Sequence, residues 1–156
     1  MNRHILMIAL IVSCLCIIAT PQDVFADDLE TLKYLFIIQG DSGTFKNSKL
    51  DINGVPIVSF YYLGTVRETG HFLVSTFSQV WHKNSASFKS DPPSGTLTVV
   101  DGKDSVGSVI QVSDILTGLN SITFDTKVLE GRVPEEFGAS SFFLELIVNE
   151  KLDTQN

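Results

Sequence analysis

Cysteine is nearly missing from this chain, and its position matters more than its number. The sequence has 156 residues and two cysteines, Cys14 and Cys16. Both fall in one apolar stretch near the N-terminus, so residues 27–156 contain no thiol. Disulfides, thiolate nucleophiles and thiolate metal sites are excluded from that part. Basic residues are outnumbered, 11 Lys and Arg against 18 Asp and Glu, giving a formal net charge of -7. A nucleic-acid face needs concentrated positive charge, so nucleic acid is not an expected partner. Glycines occur singly, with no phosphate-cradling run. No His-Glu-x-x-His or Gly-x-Ser-x-Gly pattern is present, and no metal or cofactor is expected.

What is present begins with an address. Arg3 gives the head a fixed positive charge, and Ile5 to Ile18 carries no charge at all. A polar break, Ala19 to Asp23, leads to Val24-Phe25-Ala26. This three-part layout is that of a secretory signal peptide, cleaved after Ala26. The apolar run is shorter than the about 20 residues of a bilayer-spanning helix, so no stable transmembrane span is expected after cleavage. The competing reading is a lipoprotein anchored at Cys14, through Ile11-Val12-Ser13-Cys14. Against it, the chain stays apolar through Leu15-Cys16-Ile17-Ile18. Export to the periplasm or the exterior is expected either way.

Residues 27–148 read as one all-β domain, an antiparallel sandwich-like fold of about seven or eight strands with one short helix. Residues 149–156 form a polar tail. Leu35-Phe36-Ile37-Ile38 is apolar on both faces, which predicts a central strand, and Ile57 to Leu63 is a second two-faced strand. Gly40 to Gly43 is read as a turn, Thr44 to Ile52 as an outer strand, and Asn53-Gly54 as a hairpin turn. Asp101-Gly102 marks another tight turn. Ile122, Phe124 and Val128 share one face of a strand, and Phe142, Leu144, Leu146 and Val148 share one face of the last. Ser75 is placed as the cap of a helix bearing Phe77, Val80 and Trp81, with a strand over 72–80 as the alternative. A long connection, His82 to Gly95, follows it.

Phe60-Tyr61, Arg67, Gly70-His71, Phe77, Trp81, Ser87-Phe88 and Asp91-Pro92-Pro93 together form a pattern over most of the exported part. This pattern resembles a family of small exported, mostly bacterial β-proteins of unassigned activity. The resemblance implies export and an all-β domain, and it implies no reaction. Where that family carries a Ser-Asp-Arg-Pro-like stretch, this chain has Tyr62-Leu63-Gly64-Thr65.

Candidate chemistry is sparse. His71 and His82, with Asp91, are the only materials for a hydrolase, and no catalytic pattern joins them. Asp101 to Asp104 lacks the ligand alternation of a calcium loop and reads as a hairpin. Aromatics are dense between Phe60 and Phe88, and most are expected in the core. Tyr and Trp carry a polar tip suited to a rim, and Arg67 suits an anionic group. The candidate ligand-binding set is therefore Tyr62, Arg67, His71 and Trp81. The leading expectation is a non-catalytic exported β-domain that binds a protein or surface ligand. The others are an envelope- or secretion-associated structural factor, and a hydrolase using His71 or His82.

Overall fold

The structure, a computed structural model, describes residues 32–152. The expected signal peptide, the Asp27 start, Cys14 and the end of the polar tail lie outside the described residues. The strands are β1 (Leu32–Gly40), β2 (Ser42–Lys46), β3 (Lys49–Asn53), β4 (Ile57–Tyr62) and β5 (Thr69–Leu73), followed by the helices α1 (Val74–Lys83) and α2 (Ser85–Ser90). The chain continues through β6 (Ser94–Asp101), β7 (Asp104–Thr117), β8 (Ser121–Gly131), β9 (Glu136–Phe137) and β10 (Ser140–Val148). The fold is all-β and antiparallel. Ten strands stand where seven or eight are expected, because the reversal at Asn47-Ser48 divides the expected outer strand Thr44 to Ile52 into β2 and β3, and β5 and the two-residue β9 join the sheet.

All ten belong to one hydrogen-bonded ladder, in the order β5-β4-β1-β10-β6-β7-β8-β3-β2-β9. The ladder closes on itself. Gly40 faces Ser140 in the β1–β10 pairing, and Gly43 faces Phe137 in the β2–β9 pairing, so the register runs through both bends without a slip. The link between β9 and β10 also bonds to β6: Val100 donates to the Ala139 carbonyl and accepts from the Gly138 amide, both at 2.8 Å. Thus β2, β3, β8, β7, β6 and the joined β9–β10 ribbon form a ring. The two layers of a sandwich-like fold are opposite walls of this ring. The outer ends of β1, β4 and β5 extend from it as a wing.

The inner face follows the period-2 pattern. Tyr34, Phe36 and Ile38 of β1 are buried, as are Val58 and Phe60 of β4, Ile122 and Phe124 of β8, and Phe142, Leu144, Leu146 and Val148 of β10. A register irregularity between Val112 and Asp114 switches the buried row of β7 from Val112 to Ile115. α1 packs on the inner side, against β4, β5 and β7. Its Phe77 ring lies 5.4 Å from Phe36, and its Trp81 ring 4.7 Å from Phe88 of α2.

Several local expectations are corrected. The hairpin turn is at Asn47-Ser48, where both residues have positive φ (53° and 61°) and Lys46 faces Lys49. That is the backbone signature of a type I′ turn. Asn53-Gly54 instead begins the bend between β3 and β4, with Gly54 at φ 73° against the Asp41 side chain. Residues 40–43 do not reverse the chain; β1 runs on into β2. The helix starts at Val74, directly from β5, and Ser75 makes no capping bond. The expected connection after His82 holds a second helix, which inserts Phe88 into the core. Between the helices Asn84 is buried: its Nδ2 donates to the Val80 carbonyl at 2.9 Å and its Oδ1 accepts from the Asn149 amide at 3.1 Å. The Asp101-Gly102 turn is where it is expected, with Gly102 at φ 65°.

Candidate functional site: the outer face of the wing

In β1 the inward residues Tyr34, Phe36 and Ile38 alternate with outward Leu35 and Ile37, and these are only half-buried. In β4 the outward residues are Ile57, Ser59 and Tyr61. Pairing sets the rows across the sheet. Thr69, Tyr61, Leu35 and Glu145 form one row, and His71, Ser59, Ile37 and Phe143 the next. Exposed apolar side chains therefore gather on this face: Ile57, Tyr61, Leu63, Leu73, Phe143 and Ile147. Among the described residues no element covers it.

A groove of about 650 Å³ lies on this face, lined by Leu35, Ile37, Tyr61, Tyr62, Leu63, Arg67, Glu68 and Thr69. Tyr62 is the last residue of β4, and its ring lies 5.2 Å from that of Tyr34. The loop after β4 folds back against that ring: a Cβ on Gly64 would stand 2.2 Å from it. Two backbone bonds fix the loop, from the Tyr62 amide to the Glu68 carbonyl at 2.9 Å and from Leu63 to Lys33 at 2.8 Å. Glu68 is paired with Lys151 at 2.7 Å, and Glu145 with Lys33 at 2.5 Å. Arg67 has no ion pair among the described residues. A smaller hollow of about 190 Å³ continues along the same strands, lined by Ile37, Gln39, Gly40, Asp41, Gly54, Pro56, Ile57 and Ser59.

Of the candidate set, Tyr62 and Arg67 both line this groove, with the Tyr62 ring turned to the core side against Tyr34. His71 lies on the same face, two strands from Ile37, and does not line it. Trp81 is on the other side of the sheet, 1% exposed, and has no exposed edge to offer a ligand. Its helical spacing with Phe77 fits this core position; nearness to the connection after His82 does not bring it to a rim, because α2 packs over it.

The residues that build the groove floor, Leu35, Ile37 and Tyr61, were legible only as apolar strand residues. Their signal was two-faced apolarity, which implies a cover on both sides. His71, His82 and Asp91 stand on three different elements: β5, the last turn of α1, and the end of α2. Asp91 lines a separate hollow of about 220 Å³ with Ser87, Pro93 and Glu145, which contains neither histidine. No helix among the described residues is long and apolar enough to cross a membrane.

Comparison of the chain with family models, curated proteins and solved structures finds no match.

Proposed function

We propose that this chain is an exported, non-catalytic β-domain that binds a partner through the outer face of its wing. One observation carries the reading: β1 and β4 are apolar on both faces, and among the described residues only the inner face is covered. Contiguous apolar surface on a soluble domain marks a place where something else binds. The groove gives that surface a shape, and the ion pairs Lys33–Glu145 and Glu68–Lys151 give it a polar rim. Support for export is the signal-like layout of residues 1–26.

The test is partner capture by the native exported protein, run beside Ile37→Asp. Ile37 points outward, so the charge enters the groove without entering the core. Partners captured by the parent and lost by a variant with an unchanged melting curve support the reading. Equal capture by both sinks it. N-terminal sequencing of exported material checks the address: a start at Asp27 is expected, and a lipid-modified Cys14 would replace it with the anchored form.

A further inference from the structure

We propose that the trough along β1 and β4 binds a free amphipathic carboxylate, a straight apolar chain with one anionic head, and that the head sits on Arg67. This rests on the outer face being the binding surface and assigns that surface a ligand class.

The shape favours a chain. The groove and the smaller hollow share Ile37 and follow β1 from Leu35 to Gly40. Five residue steps of a strand span about 17 Å. Across from Ile37 stands Ser59, a small side chain flanked along β4 by Tyr61 and Ile57. The floor is thus low in the middle and walled by larger groups. A ligand rich in hydroxyls would leave most of them unpaired against Leu35, Ile37 and Tyr61, a costly arrangement. An alkyl chain meets no such cost.

The charge favours an anion at one end. Arg67 lines the groove beside Glu68 and Thr69, and makes no ion pair among the described residues. Lys33 and Lys151, the other cations at this rim, are occupied by Glu145 and Glu68. At the opposite end the hollow is lined by Asp41. The trough is therefore cationic at one end and anionic at the other, which orients a carboxylate toward Arg67 and an alkyl end toward Pro56 and Ile57. A guanidinium receives a carboxylate through two parallel hydrogen bonds.

The experiment is calorimetric titration of the mature chain with dodecanoate and, separately, dodecyltrimethylammonium, both below their micelle-forming concentrations. Dodecanoate is expected to bind and the cationic amphiphile to bind far more weakly. Arg67→Gln should weaken dodecanoate about tenfold or more, the loss of a charge-assisted pair. Ile37→Asp should abolish binding. Equal binding of both amphiphiles, unaffected by Arg67→Gln but lost in Ile37→Asp, refutes the carboxylate and leaves the outer face as the binding surface. Failure of dodecanoate to bind refutes the ligand class, and partner capture then decides the broader reading separately. A dimer that dodecanoate does not dissociate also overturns the proposal, because a second copy then occupies the face.

Discussion

The ring of Phe137 lies against Gly43 where the β-ladder closes. A Cβ built on Gly43 would stand 2.3 Å from the Phe137 ring and 2.3 Å from the Asp51 carbonyl oxygen. Glycine is required here for space, since its φ is not in the left-handed region. Gly43→Ala should cost about 1–3 kcal/mol, the usual range for overpacking. Adding Phe137→Leu should recover only part of that loss, because the Asp51 backbone remains in the way. Urea denaturation of the single and double variants measures both quantities.

Trp81 is the only tryptophan, and its ring is enclosed by Phe77 and Phe88. Trp81→Ala should destabilise the fold by about 3–5 kcal/mol, as other emptied aromatic sites do. Native fluorescence should be blue-shifted and move red on unfolding. An emission maximum already at the solvent-exposed position would contradict the burial.

Ser48 adopts φ 61° in the Asn47-Ser48 turn. A left-handed conformation costs an ordinary L-residue about 1–2 kcal/mol, and glycine escapes most of that cost. Ser48→Gly should therefore raise stability, by up to about 1 kcal/mol. The bonds that Thr126 donates to the Ser48 carbonyl are backbone-directed on the Ser48 side and survive the change. A lower urea midpoint for the variant would count against a strained turn.

Lys49 has its pKa raised, first by the hydrogen bond to Asp125 at 2.5 Å, then by the charge of Asp125; desolvation opposes this, and Asp51 and Asp114 add lesser upward contributions. A lysine held above its unfolded value of about 10.4 stabilises the fold fully below that pH. The contribution is lost as pH rises through the folded value. Its size is small, because the pair is open to solvent and screened by salt. Melting curves taken through the alkaline range should show a decline that Lys49→Met lacks. A decline identical in both proteins would place its origin elsewhere.

The strands were legible because their inner rows keep a strict period of two, as in Phe142, Leu144, Leu146 and Val148. The turns were less so. Asn53-Gly54 carries the strongest local hairpin signal, yet the chain reverses at Asn47-Ser48. Cross-strand pairing of β3 with β8 and the contact of Gly54 with Asp41 decide between them, and neither lies within the turn itself. Ladder closure was illegible for the same reason, since Gly43 and Phe137 are far apart in sequence. In the candidate site, Tyr62 and Arg67 were reachable through residue chemistry. Trp81 was legible as core through its helical spacing with Phe77, but its place in the candidate set fails, because a helix face does not announce which side of the sheet it covers. Leu35 and Ile37 were visible as a two-faced strand, but only the fold reveals that no described residue covers their outer side.

The pairing of β1 with β10, Leu32 opposite Val148, also sets a schedule. The first described strand can gain β4 early, but its other neighbour, β10, is the last strand made, and the ring cannot close before Phe137 arrives. Non-local contacts of this kind slow folding, because a long loop must be closed before the contact returns anything. Emerging chain would thus hold the β2–β3 hairpin early and the closed ring only at the end. A chain halted before Phe137 would therefore hold paired strands with open edges, and no closed core.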